Sequence, residues 1–119
     1  MAKVLVLDDV FDAVTLMKRI LEMAGHEVAG FTEEEDALNF VKNNQVDLAI
    51  LDIKLKKMTG VEVLAEIKKA APAVRAIMLT GYPTVETAQA SLKLGASEYC
   101  VKPIDNEELE AKVARLLQR

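Results

Sequence analysis

Residues 47–52 read Asp-Leu-Ala-Ile-Leu-Asp, an apolar run without polar alternation that ends in an acid. Similar runs stand at 3–8 (Lys-Val-Leu-Val-Leu-Asp) and 75–80 (Arg-Ala-Ile-Met-Leu-Thr), with weaker ones at 27–31 and 99–101. Strands that are apolar on both faces are typical of a parallel sheet covered by helices on both sides. We therefore predict buried parallel strands at these places.

The segments between the strands have the spacing of amphipathic helices. Strands that alternate with helices predict an α/β domain, and five of them favour an open, doubly wound sheet over an eight-stranded barrel. The predicted inward positions are Val10, Ala13 or Val14, Met17, Ile20 or Leu21 and Ala24 in the first helix, Ala37, Leu38 and Val41 in the second, Val61, Leu64 and Ile67 in the third, Val85, Ala88 and Leu92 in the fourth, and Leu109, Val113 and Leu116 in the fifth.

The predicted helix boundaries carry signals typical of helix ends. Pro72 is expected to end the third helix because it lacks an N–H and restricts the residue before it. The acidic run 33–36 suits the first turn of the second helix, where the helix dipole favours negative charge. The other signals are two glycines that suit a left-handed last residue, Gly25 and Gly95, and two capping-box pairs, Thr32 with Glu35 and Asp105 with Glu108.

Composition excludes several classes of protein. The chain has 119 residues, 51% of them hydrophobic, and a net charge of −4, which fits one acidic domain over residues 1–119. An acidic balance argues against a dedicated nucleic-acid or anionic-membrane binder, and no apolar run approaches the roughly 18 residues of a membrane span. Cys100 and His26 are single residues of their types, so neither a disulfide nor a zinc cluster is expected. We expect a cytoplasmic domain.

The candidate functional residues stand at the ends of the predicted strands. Right-handed crossovers place the carboxyl ends of all parallel strands at one edge, where open sheets bind ligands. The strands end in Asp8 and Asp9, in Asp52, in Thr80 and in Lys102. Any one of these polar groups is explained by a strand that reaches the surface, whereas their convergence on one edge indicates a site.

The residue types at this edge suggest a reaction. Three neighbouring carboxylates repel one another, and a divalent cation relieves the repulsion; oxygen ligands suit Mg²⁺ or Mn²⁺. A lysine and a threonine hydroxyl are suitable donors to phosphoryl oxygens, and a carboxylate can itself be the nucleophile. The residues thus support metal-assisted phosphoryl transfer onto an aspartate.

At these positions the chain resembles, from end to end, the receiver domain of bacterial two-component response regulators. The resemblance implies a flavodoxin-like fold, similar to that of chemotaxis regulators, with strand order 2-1-3-4-5 and five helices. The matching landmarks are Asp8-Asp9, Asp52, Gly60, Leu79-Thr80-Gly81 and Val101-Lys102-Pro103, and residues 80–88 and 93–96 are most similar to receivers of the nitrogen-regulation type.

The resemblance also implies a role for each acid. Asp52 is the expected phosphoacceptor, which attacks a phosphohistidine on a sensor histidine kinase or a histidine phosphotransfer protein. Asp9 and Asp52 are expected to bind Mg²⁺ directly, and Asp8 directly or through water. The remaining protein ligand is expected to be the backbone carbonyl of Lys54. Such a domain is a signalling phosphoacceptor that assists its own phosphorylation and slow dephosphorylation, not an independent enzyme.

The resemblance further implies a switch. Thr80 and Lys102 are expected to contact phosphoryl oxygens, the Lys102–Pro103 peptide to be cis, and Tyr99 to turn inward as Thr80 moves. A downstream effector or a missing output domain is expected to read the changed surface, and phosphorylation-dependent dimerisation through it stays open. This surface, the output face, comprises Thr84–Gly95, Ser97–Val101 and Asp105–Leu117.

Three positions depart from the family pattern. Lys56 stands where the family usually has proline, so the loop after Asp52 is expected to be less rigid. Val10 replaces a polar residue that is common after the acidic pair, with little expected effect. Lys54 places a cation beside the acceptor, and we hypothesise that it shields an acyl phosphate from water.

Two other functions stay open. A phosphatase of the haloacid-dehalogenase type needs a second acid two residues after its nucleophile, but Lys54 follows Asp52 and Val10 follows Asp8 at that distance. A receiver-like interaction module that is not phosphorylated usually lacks the acceptor, an acid, the hydroxyl or the lysine, all of which are present here. A flavin-mononucleotide binder is disfavoured because the loop after the first strand is not rich in Ser, Thr and Gly.

Overall fold

The computed structural model describes residues 2–118, which form five strands and five helices in strict alternation. The strands form one parallel sheet of order β2-β1-β3-β4-β5, as predicted. No helix among these residues is long and apolar enough to cross a membrane. The elements are β1 (Lys3–Leu7), α1 (Phe11–Met23), β2 (Glu27–Phe31), α2 (Glu34–Asn43), β3 (Leu48–Asp52), α3 (Gly60–Ala70), β4 (Arg75–Thr80), α4 (Val85–Lys93), β5 (Glu98–Val101) and α5 (Asn106–Leu117).

The sheet has a hydrophobic cluster on each face. Successive residues of a strand point to opposite faces, so Leu5 and Leu7 of β1 pack in one cluster while Val4 and Val6 pack in the other. Helices α2 and α3 complete the first cluster, and α1 and α5 complete the second. Burial on both faces explains why the central strands read as unbroken apolar runs.

Several predicted helix ends are confirmed. Gly25 and Gly95 have φ angles of 97° and 89°, the left-handed region that glycine adopts without steric penalty. Helix α3 ends at Ala70, two residues before Pro72. The side chain of Asp105 accepts a hydrogen bond from the amide of Glu108 at 3.4 Å, so it caps α5 as its spacing indicated.

The capping box predicted for α2 is wrong. The N-cap is Glu33, whose side chain makes no capping hydrogen bond, and the helix begins at Glu34 rather than after Thr32. A complete capping box instead begins α3, where Thr59 and Glu62 exchange hydrogen bonds of 2.9 and 3.1 Å. This pair has the same sequence spacing as the pair that failed.

Some predicted inward positions are also wrong. Val10 is 53% exposed because it is the N-cap of α1, and Ala24 is exposed because it is the C-cap. On α4, Val85 and Leu92 are 68% and 61% exposed. Among the described residues of α4, Ser91 alone is buried, so this helix packs through a small polar residue and leaves its large apolar ones outside.

Candidate functional site

Neighbouring strands bring the three acids together. Asp8 follows the last residue of β1, and Asp52 ends β3, which pairs with β1 so that Leu7 lies beside Leu51. Carboxylate oxygens of Asp8, Asp9 and Asp52 all lie within 4.8 Å of one another. Asp8 and Asp52 are buried, whereas Asp9 is half-buried and faces the opening. The predicted acidic cluster is therefore present at the carboxyl edge of the sheet.

Lys102 joins the acids from the end of β5. Its Nζ lies 2.6 Å from Oδ2 of Asp8 and 3.5 Å from Oδ2 of Asp52. Its backbone amide donates to the carbonyl of Thr80 at 2.8 Å, and the Lys102–Pro103 peptide is cis, as the resemblance implied. The lysine ammonium thus bridges two buried carboxylates.

This arrangement shifts the pKa of two groups. Burial, together with the negative charges of Asp8 and Asp9, raises the pKa of Asp52 above its usual value, although Lys102 acts in the opposite direction. Burial lowers the pKa of Lys102, but its hydrogen bond to Asp8 and the nearby charges outweigh burial and raise it overall. The site therefore favours the charged form of Lys102 and disfavours the charged form of Asp52.

The loop after β3, residues 53–59, folds back on the strand end; we call it the acceptor loop. Lys54 pairs with Thr59 in an antiparallel bridge, and the amide of Gly60 donates to the carbonyl of Ile53 at 2.7 Å. A Cβ at position 60 would lie only 2.1 Å from the carbonyl oxygen of Asp52. Glycine is therefore required where α3 begins against the acceptor.

The two predicted switch residues belong to β4 and β5, and Thr80 directly follows Leu79, which pairs with Asp52. Thr80 is fully buried at the end of β4, and its hydroxyl accepts a hydrogen bond from the amide of Tyr82 at 3.0 Å. Tyr99 is half-buried, and its hydroxyl lies 2.7 Å from the hydroxyl of Thr87 and accepts from the amide of Thr84 at 3.3 Å. Tyr99 thus connects β5 to the first turn of α4.

A cleft of about 350 Å³ opens above the acids. Across its mouth, Nζ of Lys54 lies 4.3 Å from the centroid of the Tyr82 ring, a cation–π contact. The cleft is lined by Asp9, Val10, Asp52, Lys54, Leu55, Gly81, Tyr82 and Lys102.

One residue near the site was not predictable from the sequence. Glu34 is 2% exposed, and its Oε2 accepts the amides of Lys57 at 2.5 Å and Met58 at 2.8 Å, in the acceptor loop. In the sequence it is one of four consecutive acids, and it lies 23 positions before Lys57. Nothing in that pattern distinguishes a buried glutamate from a solvated one.

The acidic cluster fits a hard divalent cation. Carboxylate oxygens are the ligands that Mg²⁺ prefers, and the cleft beside them leaves room for water ligands. Histidine and cysteine, which zinc favours, are absent from the cluster. The residues that the sequence predicted as metal ligands are therefore suited to the metal by their chemistry.

Comparison with known proteins places this geometry in a family. The family model of the response regulator receiver domain matches residues 4–114. This chain belongs to the response regulator receiver domain family. The resemblance drawn from the strand-end residues is thereby confirmed.

Individual relatives of this receiver domain support the same family assignment. It is 35% identical over 114 residues to the transcriptional regulatory protein ZraR of Escherichia coli, covering 96% of this chain but 26% of ZraR. The chain thus spans about a quarter of the length of that relative. A CheY-like receiver domain protein of Methanospirillum hungatei superimposes with a TM-score of 0.94 at 34% identity, over 97% of this chain and 92% of the other.

A further solved relative was crystallised with a ligand. The response regulator TrrA of Thermotoga maritima, in complex with Mg²⁺-BeF, has a TM-score of 0.88 at 35% identity. The match covers 98% of this receiver domain and 100% of the TrrA chain. The predicted doubly wound, flavodoxin-like fold is confirmed by these likenesses.

Proposed function

We propose that this receiver domain accepts a phosphoryl group on Asp52 from a phosphohistidine of a sensor histidine kinase or a histidine phosphotransfer protein. A carboxylate oxygen of Asp52 attacks phosphorus, the phosphorus–nitrogen bond breaks, and the imidazole of the donor leaves and takes up a proton. The observation that carries the proposal is the cluster of Asp8, Asp9 and Asp52 within 4.8 Å, bridged by Lys102 at one edge of the sheet.

The same cluster is the proposed Mg²⁺ site, with Mn²⁺ as an alternative. Asp9 and Asp52 would hold the ion directly, Asp8 directly or through water, and the carbonyl of Lys54 would complete the protein ligands. When bound there, the ion would supply positive charge to the phosphoryl oxygens. The structure of TrrA with Mg²⁺-BeF supports this assignment, because that relative is similar over its full length.

Thr80, Lys102 and Tyr99 form the proposed switch. The hydroxyl of Thr80 accepts from Tyr82, so its proton is free to be donated to a phosphoryl oxygen, and Lys102 has further N–H donors for another. Movement of Thr80 lets Tyr99 leave Thr87 and turn inward. Phosphorylation thereby shifts the population toward an active form of the output face.

The signal then passes to another protein or domain. We propose that a downstream effector or an output domain reads the output face, defined above as Thr84–Gly95, Ser97–Val101 and Asp105–Leu117. The whole of residues 1–119 then acts as one receiver unit in the cytoplasm, without direct contact with nucleic acid or membrane. The domain assists its own phosphorylation but turns over no separate substrate.

A phosphorylation assay tests the proposal. Incubation with a small phosphodonor and Mg²⁺ should give an acid-stable, base-labile adduct in the wild type and in the exposed-acid control Asp36→Ala, but not in Asp52→Ala. No adduct with any donor would favour an interaction module that is not phosphorylated. Steady turnover of a phosphate ester would instead indicate a phosphatase.

A further inference from the structure

We propose that Glu34 is a positioning residue that holds the acceptor loop in place for the metal and phosphoryl chemistry. The inference rests on the proposed function, because it assigns a task in that reaction to a residue of α2. Glu34 does not touch the acids; it acts through the loop that follows Asp52.

The burial of Glu34 is the first observation. Its neighbours Glu35 and Asp36 occupy the same first turn of α2 and are exposed, as acids near a helix N-terminus usually are. Glu34 is 2% exposed, and its Oε1 is buried without a hydrogen-bond partner among the described residues. Burial of a carboxylate is unfavourable unless its hydrogen bonds offset the lost hydration. The helix dipole therefore explains Glu35 and Asp36 but not the burial of Glu34.

The hydrogen bonds of Glu34 are the second observation. Its Oε2 accepts from two successive amides, those of Lys57 and Met58, at the tip of the acceptor loop. The base of the loop is closed separately, by the Lys54–Thr59 bridge. Glu34 thus fastens the tip to a different element of the fold.

The third observation concerns the missing proline. Lys56 has no ring to restrict the backbone, and its exposed ammonium lies 3.8 Å from Glu33, a contact of the kind that stabilises little. Where a proline would restrict the backbone locally, the buried carboxylate of Glu34 restricts it through two hydrogen bonds from another element of the fold. The sequence predicted a less rigid loop at this point, and the contacts of Glu34 restrain its tip from another part of the fold.

The consequence reaches the site through Lys54. Its carbonyl, a proposed metal ligand, lies in the base of the acceptor loop, directly after Ile53. If the tip is released, part of the loop must be ordered again each time the ion binds, and affinity falls because ordering opposes binding. Glu34 is therefore expected to strengthen Mg²⁺ binding without contacting the ion.

The first test uses the full chain without metal. In Glu34→Ala, amide hydrogen exchange at Lys57 and Met58 should be about tenfold faster or more, the effect of losing a hydrogen bond to a charged group. Glu35→Ala removes the same charge from the same turn and should leave both amides unchanged. Unchanged protection of both amides in Glu34→Ala would overturn the proposal.

The second test measures Mg²⁺ affinity by titration calorimetry. The dissociation constant should rise roughly threefold or more in Glu34→Ala, and less in Glu34→Gln, whose amide oxygen still accepts hydrogen bonds. Val113→Ala serves as a destabilised control, because Val113 is buried in the cluster on the opposite face of the sheet. An equal loss of affinity in Val113→Ala would reduce Glu34 to a purely structural role and overturn the proposal.

The two tests separate this inference from the proposed function. If the wild type takes up phosphoryl groups while Glu34→Ala matches Glu35→Ala in exchange and in affinity, the positioning role is refuted and the function stands. If Glu34→Ala frees the loop and weakens Mg²⁺ binding while the wild type never accepts a phosphoryl group, the positioning of the metal site is supported and the phosphoacceptor function is refuted.

Discussion

Individual residues around the site differ in how their neighbours hold them. Lys102 lies between two buried carboxylates, and Glu34 accepts two backbone amides. Lys54, by contrast, is exposed and rests on the ring of Tyr82, which is itself 68% exposed. The side chains of Lys102 and Glu34 are therefore held in place by several contacts, whereas the side chain of Lys54 can change position when a group enters the cleft.

The hydrogen bonds of Glu34 predict a pH dependence of stability. Burial raises the pKa of Glu34, but amide hydrogen bonds, including those from Met58 and Lys57, outweigh it and hold the pKa below its usual value of 4.5. A lowered pKa in the folded state gives stability that is complete above about pH 4.5 and is lost as the pH falls through the folded value.

The comparison of wild type with Glu34→Gln measures this effect. In urea unfolding, the wild type should be more stable by about 1–3 kcal/mol at about pH 7, and the difference should shrink below about pH 4.5. Glu35→Gln should show no comparable difference at any pH. A wild-type advantage that stays constant into acid would contradict the assigned hydrogen bonds.

The position of Lys54 predicts an effect on the lifetime of the phosphorylated domain. If its ammonium shields the acyl phosphate, Lys54→Ala should lose the phosphoryl group roughly two- to fivefold faster, the effect of about 0.4–1 kcal/mol from one exposed charge pair. Lys57→Ala, another exposed lysine of the acceptor loop, should decay at the wild-type rate. Identical decay in Lys54→Ala and wild type would refute the shielding hypothesis.

Among the elements, α4 is held differently from the other helices. A polar contact connects it to the sheet: the hydroxyl of Tyr99 in β5 lies 2.7 Å from that of Thr87, whereas the hydrogen bond that Ser91 donates to the carbonyl of Thr87 at 2.7 Å stays within the helix. Helix α3, in comparison, buries Val63, Leu64 and Ile67. Because hydrophobic burial supplies most of the stability of a helix, α4 should open more readily than α3.

Removal of the Tyr99 hydroxyl tests this. In Tyr99→Phe the amides of α4 should exchange roughly two- to tenfold faster, the effect of about 0.5–1.5 kcal/mol of lost hydrogen bonding, while those of β3 stay unchanged. Tyr82→Phe is the matched control, because the ring of Tyr82 is exposed. Equal exchange of α4 in both variants would show that the hydroxyl contact does not hold the helix.

The junction of β3 and α3 predicts a steric effect. An alanine at position 60 would place its Cβ 2.1 Å from the carbonyl oxygen of Asp52 and 2.8 Å from Cα of Ile53. Gly60→Ala should therefore lower the unfolding free energy by about 1–3 kcal/mol or more. Gly81→Ala, where a Cβ meets nothing within 4 Å, should change it by less than about 0.5 kcal/mol. Matching denaturation midpoints would contradict the close approach of α3.

Sequence patterns predicted the positions of the helices and strands better than they predicted which side of each helix is buried. The strands were identified because burial on both sides leaves unbroken apolar runs, and the acids were placed because parallel strands end at one edge. The predicted buried face of α4 was wrong. Val85 and Leu92 have the spacing of an inward face, but they are exposed, and Ser91 is the buried residue. The choice between one capping pair and another depends on which side chains the tertiary structure engages, and spacing alone does not contain that information.

At the scale of the whole molecule, the buried acids affect the stability of the fold, because the ionised carboxylate of Asp52 is a destabilising group. The pKa of Asp52 is raised, so its ionised form opposes folding when no metal is bound. Mg²⁺ should raise the free energy of unfolding by about 2.7 kcal/mol at a hundredfold excess over its dissociation constant.

Denaturation with EDTA and with Mg²⁺ measures this. Asp52→Asn should be more stable than the wild type in EDTA and should gain less from Mg²⁺, whereas Asp36→Asn should respond to Mg²⁺ as the wild type does. A wild-type melting temperature that does not change with Mg²⁺ would contradict the proposed metal site.

The bridge from Lys102 to Asp8 and Asp52 also sets an electrostatic balance. Three ionised carboxylates and one ammonium leave two negative charges uncompensated, the amount that one divalent cation neutralises. Under the proposed function, a bound divalent cation would balance the charge of these four groups, and transfer of a phosphoryl group to Asp52 would add negative charge to the site. The hydroxyl of Thr80 and the ammonium of Lys54, which lines the same cleft, are the groups that would then stabilise the added charge.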